Sequence, residues 1–103
     1  MNSETIQRLS ATIDELGLRI LGPLRMSKTI PEASLQELHE TLEKLGEILA
    51  SETCVPKALA GNLWFIFTSM LAEAQHAKDR RQVIETAAWN LQEKLQKIFG
   101  PQF

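Results

Sequence analysis

The sequence predicts an all-α protein: an antiparallel, up-down-up-down four-helix bundle that occupies residues 1–103 as a single domain. Four stretches carry apolar residues at alternating steps of three and four, which places each set on one face of a helix. Gly22–Pro23, Pro31 and Pro56 lie between the first three stretches, as expected between helices, and a charged turn separates the third stretch from the fourth. The chain has 103 residues, of which 44% are hydrophobic, enough for one buried core. The residues that define the four stripes are Ile6, Leu9, Ile13, Leu16 and Ile20; Leu35, Leu38, Leu42, Leu45 and Leu49; Leu59, Leu63, Ile66 and Met70, flanked by Trp64, Phe67 and Leu71; and Ile84, Ala88, Leu91, Leu95 and Ile98.

The first two helices have recognisable end signals. The first is predicted to begin near Ser3, which can cap it, and to end before Gly22–Pro23, because proline cannot continue a helix. Gly17 lies inside this helix, where glycine costs about 1 kcal/mol relative to alanine. The second helix is predicted to run from Pro31, a residue that suits the first helical position, to about Ser51.

The last two helices are separated by a short charged turn. The third is predicted to start after a cap at Thr53 or Cys54 and to continue to about Ala77. Asp79, followed three residues later by Gln82, resembles a capping box for the fourth helix, which a glycine and a proline then close. Because the second and third connections are short, we expect consecutive helices to lie side by side and antiparallel.

Composition limits the classes of function. The formal net charge of -2 gives no electrostatic drive toward nucleic acid. The longest apolar run, within residues 58–72, is shorter than the roughly 20 residues that span a bilayer, so no transmembrane segment is expected. A single cysteine, Cys54, excludes an intrachain disulfide and fits a reducing compartment. With no signal-peptide pattern at the start of the sequence, these features predict a cytoplasmic protein.

Few residues could carry chemistry. Cys54 and His76 lie near opposite ends of one predicted helix, roughly 33 Å apart, too far for a catalytic dyad. Glu73 and His76 form a Glu-x-x-His pair on one helix face, but di-iron bundles use two such pairs and two further glutamates. A symmetric dimer could supply the second pair, so a metal-binding bundle stays an alternative. We therefore expect no enzyme and assign no catalytic residue, cofactor or metal ligand.

The third predicted helix carries a polar seam. Its members step by seven, four and three residues, so they align along one side of the helix. One interpretation is a mostly buried helix whose single polar side reaches solvent. The other is a groove for a peptide or a partner helix, with the last two members at its mouth. The candidate binding residues in this seam are Asn62, Ser69, Glu73 and His76.

Trp89 is the other candidate for partner binding. It points roughly 140–160° away from the stripe that contains Leu91 and Leu95, so it should be substantially exposed. Tryptophan is enriched among residues that anchor protein interfaces, although Trp89 could also pack locally against a neighbouring helix. Leu18 and Leu21 lie off the first stripe, and they either widen the same patch or extend the core.

Part of the third helix resembles a known family. The segments Pro56–Leu59 and Leu63–Phe65, followed by Thr68, are similar to the third helix of pediocin-like (class IIa) bacteriocin immunity proteins, especially the enterocin A immunity group. The resemblance implies a cytosolic bundle that protects a bacterium by associating with a membrane sugar-transporter receptor once the toxin has bound it. It further implies that specificity lies in residues 54–103. The chain departs from the family in being mildly acidic, whereas the family tends to be basic.

The function expected from these observations is a small cytoplasmic protein–protein interaction module. The alternatives are a bacteriocin immunity-like protein that protects the producer cell and a metal-binding bundle. The partner is a protein of unknown identity, with a membrane receptor complex and a second copy of the chain as candidates. We expect neither nucleic acid nor a cofactor as a ligand.

Overall fold

A computed structural model describes residues 3–101 and residue 103 of the chain. Within those residues it contains four α-helices, one short 3-10 turn and no strand. The helices are α1 (Ser3–Ser27), α2 (Glu32–Leu49), α3 (Lys57–Gln75) and α4 (Arg81–Phe99), and the turn spans Lys78–Arg80. Successive helices alternate in direction, so the predicted all-α four-helix bundle is confirmed. The side chain of Ser3, the predicted cap of α1, lies outside the described part.

The predicted end of the first helix is wrong. α1 continues through Gly22 and Pro23 to Ser27. A proline disfavours helical geometry at the preceding residue because its ring clashes with that residue's Cβ, and Gly22 has no Cβ. Proline also removes one backbone hydrogen bond. Leu21 at the predicted end is buried, and continuing the helix also buries Leu24, which offsets that loss. Of the two leucines off the stripe, Leu21 thus extends the core.

The left-handed positions after α1 and at the start of the 3-10 turn are occupied by lysines, not glycines. Lys28 adopts a left-handed conformation with φ of 56°, and its backbone N–H donates to the carbonyl of Leu24 at 3.0 Å. This is the αL type of helix end, a position where glycine is the usual residue. Lys78 has a similar φ of 53°. Only the predicted C-terminal stop matches the glycine pattern, because Gly100 caps α4 with φ of 111°.

The predicted side-chain caps of the last two helices are not formed. Over the described residues, α3 begins after Pro56 without a side-chain cap, so neither Thr53 nor Cys54 serves as one. α4 likewise begins after Arg80 without a side-chain cap, because residues 78–80 turn as a 3-10 helix that leads directly into α4. The proposed capping box of Asp79 and Gln82 is therefore wrong.

The four helices form a square in which α2 and α3 occupy one diagonal. Each helix packs on two others: α1 on α2 and α3, and α4 on α3 and α2. In the described part of the chain, α2 and α3 do not pack on each other, contrary to the expectation that all consecutive helices are neighbours. Residues 50–56 cross the end of the bundle instead. A diagonal of roughly 12–14 Å follows from helix spacings of 8–10 Å, and seven residues can span it at up to about 3.3 Å each.

The diagonal connection makes α1 and α3 parallel neighbours. Asn62 of α3 donates to Asp14 of α1, and about one helical turn later Gly17 faces Ile66. An ideal Cβ placed on Gly17 would lie 2.9 Å from Cδ1 of Ile66, closer than side chains tolerate. Gly17 therefore allows the two helices to approach each other, which explains a glycine inside α1.

α2 and α4 form the second parallel pair. The ammonium of Lys94 donates to the Glu43 carboxylate at 3.2 Å, and Gly46 admits the side chain of Ile98 one turn further along. The core between the two pairs contains the inward stripes of all four helices. Its largest fully buried side chains are Ile13, Leu16, Ile20, Leu24, Leu38, Leu42, Leu45, Leu59, Leu63, Ile66, Met70 and Ile84. Among the described helices, none is both long and apolar enough to cross a membrane.

The α2/α4 contact makes stability depend on pH through His39. Burial lowers the pKa of His39, and the charge of Lys94 lowers it further, while Glu43 partly opposes the shift. Between that lowered pKa and the ordinary value of about 6.5, the unfolded chain binds more protons than the folded one. We therefore expect this contribution to stability to be complete above about pH 6.5 and to be lost as the pH falls through the folded-state pKa.

The measurement is urea unfolding at a series of pH values for wild type and His39→Gln. The difference in unfolding free energy between the two proteins should change with pH in the window below 6.5. A difference that stays constant from pH 7.5 to pH 4.5 would show that His39 takes up its proton equally in both states.

Candidate functional site

Two tryptophans and two phenylalanines form a continuous aromatic surface over α3 and α4. Trp64 and Trp89 both contact the ring of Phe67, with centroid separations of 5.7 Å and 5.4 Å. Phe103 meets the edge of Trp64 at 5.7 Å and stacks on Phe99 at 5.1 Å. We call the surface made by Trp64, Phe67, Trp89 and Phe103 the aromatic surface.

The two tryptophans are exposed although both pack on the ring of Phe67. Trp89 is 53% exposed and Trp64 is 50% exposed, whereas Phe67 beneath them is buried. Trp89 is therefore exposed, as its position on α4 predicts, and it also packs locally on Phe67, whereas its role in partner binding stays a prediction. Tilted and edge-to-face contacts of this kind contribute about 0.5–1.5 kcal/mol each, so they fix the orientation of the exposed rings.

α3 supplies this surface because it lacks charge over most of its length. No Asp, Glu, Lys or Arg occurs between Lys57 and Glu73. Apart from Gln75 at its end, the side of α3 that faces solvent is formed by small or aromatic residues. Solvent-facing helix surfaces in soluble proteins are normally charged, so this composition sets α3 apart from α1, α2 and α4. Its outward residues are Ala58, Gly61, Trp64, Phe65, Thr68, Ala72 and Gln75.

The polar seam of α3 turns toward α1 and away from the aromatic surface. Asn62 donates to Asp14, and Glu73 accepts from the Lys28 ammonium at 2.5 Å. Arg25 lies 3.8 Å from the same carboxylate. The seam therefore joins α1 to α3, and these contacts occupy two of its candidate binding residues.

Ser69 and His76 complete the seam. Ser69 is half-buried between those two contacts, whereas His76 is exposed at the end of α3, where its backbone N–H donates to the carbonyl of Glu73 at 3.2 Å. The structure does not bring these four residues together around a groove. A role for them in partner binding stays a prediction.

The polar groups considered for chemistry are far apart. Cys54 is an exposed free thiol on the connection before α3, and His76 lies beyond the opposite end of that helix. Across the described residues, no three His, Cys, Asp or Glu side chains come close enough to hold a metal ion. Glu73 of the Glu-x-x-His pair is already paired with Lys28 and Arg25.

A second exposed apolar region lies between α1 and α3. Leu18 is 77% exposed and Phe65 is 51% exposed, and Leu21 forms the floor between them. The guanidinium of Arg25 sits 5.9 Å from the centre of the Phe65 ring. We call this cavity of about 150 Å³ the α1/α3 groove; it is lined by Asp14, Gly17, Leu18, Leu21, Gly22, Arg25, Asn62, Phe65 and Ile66.

Sequence reasoning missed Trp64, Phe65 and Phe103 as surface residues. The sequence pattern places Trp64 beside the core stripe, because a helix without charge gives no polar face from which to locate solvent. The angular position of Trp64 was the available signal. It lies roughly 120° from the centre of the buried stripe, about as far off as an exposed residue must be.

Comparison with models of protein families, with curated proteins and with solved structures found no match for this chain. The functional argument therefore rests on the two surfaces described above.

Proposed function

We propose that this protein is a small, non-enzymatic interaction module that binds a partner protein across the aromatic surface. The observation that carries the proposal is the pair of half-exposed tryptophans, Trp64 and Trp89, oriented by one buried phenylalanine. Leaving about half of each tryptophan side chain in water forgoes favourable burial energy, which a partner would recover. Tryptophan is also the residue type most typical of interface anchors.

The chemistry of the surface indicates the kind of segment that it would bind. The stretch of α3 that supplies Trp64 and Phe67 is uncharged, so an apolar segment can approach it without desolvating an ionic group. Asn90 and Glu93 of α4 are exposed beside Trp89 and would form part of a polar rim. We expect the partner to contribute an apolar peptide or helix face with polar margins. A cytoplasmic location belongs to the proposal, because the exposed thiol of Cys54 fits a reducing compartment.

The test is an affinity capture from the native host with three baits. Wild type is compared with Trp64→Ala/Trp89→Ala and with Met26→Ala, which removes an exposed apolar side chain on α1, outside the aromatic surface. The partner should be retained by wild type and by Met26→Ala and lost with the double variant. With purified components, removing both anchors should weaken binding by at least about 30-fold, the equivalent of one hot-spot residue.

Fluorescence gives an independent readout of the same event. The chain contains two tryptophans, and both belong to the aromatic surface, so partner binding should shift their emission. Circular dichroism establishes that the double variant is folded, as expected for exposed side chains; if it is not, Trp89→Gln alone replaces it. A partner that binds wild type and the double variant with equal affinity would refute the proposed surface.

Bacteriocin immunity is a second candidate function, favoured by one observation. The segment that resembles the immunity proteins includes Trp64 and Phe65, which are exposed and therefore available to a partner. The test is expression in a bacterium sensitive to class IIa bacteriocins, with survival as the readout and Trp64→Ala as the paired variant. Absence of protection across a panel of such bacteriocins would remove this function and leave the interaction module itself untouched.

A further inference from the structure

We propose that two copies of this chain associate through their α1/α3 grooves, in an antiparallel arrangement about a two-fold axis that passes between Leu18 and Leu21. This interface is separate from the aromatic surface, and the inference does not depend on the proposed function. It rests on the shape of the groove and on the order of charges along α1.

The charges along the groove are self-complementary. Asp14, Leu18, Leu21 and Arg25 follow one another at steps of four, three and four, so they form a single stripe on α1. The acid stands at one end of the stripe and the base at the other, about 16 Å apart. A two-fold axis through the middle reverses one copy and thereby sets Asp14 of each copy opposite Arg25 of the other.

Neighbouring residues strengthen this polarity. At the basic end Glu73 neutralises only one of the two cations that contact it, Lys28 and Arg25, so one positive charge remains. At the acidic end the partner of Asp14 is the uncharged amide of Asn62. A parallel arrangement of two copies would instead place like charges together at both ends, which is unfavourable.

The apolar middle of the groove can accept a leucine from the second copy. Leu18 projects from the surface with 77% of its area exposed, one turn away from the cavity floor formed by Leu21. Gly22 leaves open space, because a Cβ placed there would meet nothing within 4 Å. In the antiparallel arrangement, Leu18 of each copy enters the other groove between Gly22 and the exposed ring of Phe65. The contact is therefore isologous, with each copy giving one leucine and accepting one.

The first measurement is sedimentation of the wild-type chain over micromolar to millimolar concentrations. We expect the mean mass to rise from monomer toward dimer, and Leu18→Ala to weaken the dimer about tenfold or more. Trp64→Ala/Trp89→Ala should dimerise like wild type, which separates this interface from the aromatic surface. A wild-type chain that stays monomeric at all these concentrations would overturn the inference. It would do so even if a different protein were found to bind in the groove.

A charge exchange tests the antiparallel register directly. Asp14→Arg places two bases opposite each other at both ends of the interface, and Arg25→Asp places two acids there, so each variant alone should be monomeric. Mixed one to one, they should form a heterodimer, because both ends again pair a base with an acid. Glu15→Arg, the same charge change one residue off the stripe, should leave the wild-type dimer intact.

Thermal unfolding of each variant establishes that it is folded, since Asp14 and Arg25 are both exposed. Either single variant that dimerises like wild type would overturn the inference, as would a folded mixture that stays monomeric.

Discussion

Met70→Ala is expected to lower the free energy of unfolding by about 2–5 kcal/mol. Met70 lies in the second half of α3, is fully buried, and belongs to the core cluster to which all four helices contribute. Truncation to alanine removes three heavy atoms from the apolar interior and leaves a cavity that the surrounding side chains fill only in part. Chemical denaturation followed by circular dichroism gives the value.

The chain offers a matched control in Met26→Ala, the same substitution on a side chain that is 90% exposed. Its effect should stay within about 0.5 kcal/mol, because an exposed methionine has little burial energy to lose. Both proteins should be compared at a concentration where wild type is monomeric. Equal losses in the two variants would show that α3 does not supply the core through the stripe of Met70.

The inward stripes could be predicted from the sequence because each depends on local spacing alone. Leu38, Leu42 and Leu45 are fully buried on α2, as their steps of four and three require. The same argument explains Leu91 and Leu95 on α4. The helical period determines which side chains share a face. In α1, α2 and α4 the other faces are polar, so each of these helices has one apolar face that can join the core.

The arrangement of the helices could not be predicted in the same way. The rule that short connections join neighbouring helices fails at residues 50–56, which are long enough to cross the end of the bundle. No feature of spacing distinguishes a lateral connection from a diagonal one of seven residues. The parallel contact of α1 with α3, and therefore the α1/α3 groove, follows from that crossing.

The stop signal at Pro23 failed for a related reason. Proline inside a helix has a local cost in free energy. The burial of Leu21 and Leu24 against other helices is a tertiary effect whose gain in free energy exceeds that cost. Of the two exposed tryptophans of the candidate site, the sequence pattern identifies one and misses the other. Trp89 was identified because α4 has a polar face against which an exposed tryptophan is conspicuous. Trp64 was not, because α3 has no charged face.

Gly17→Val is expected to lower the free energy of unfolding by about 1–3 kcal/mol, although glycine is the weaker helix former. The Cβ of valine would stand 2.9 Å from Cδ1 and 3.1 Å from Cγ1 of Ile66. Ile66 is only 1% exposed and belongs to the core cluster, so its side chain cannot move away from a valine at position 17 without disturbing the neighbours on which it packs. Either Ile66 leaves its packed position or α1 moves away from α3, and both reduce the burial of apolar side chains. Urea unfolding gives the change in free energy.

Gly61→Ala, in the same pair of helices, is expected to change the free energy of unfolding in the opposite direction. A Cβ on Gly61 would meet nothing within 4 Å, so alanine there should stabilise the protein by about 0.5–1 kcal/mol through helix preference alone. Opposite signs for the two glycines would establish that Gly17 is required by the close approach of α1 to α3. If Gly17→Val were as stable as wild type, the two helices could not be in that contact, and the floor of the α1/α3 groove would have to be formed differently.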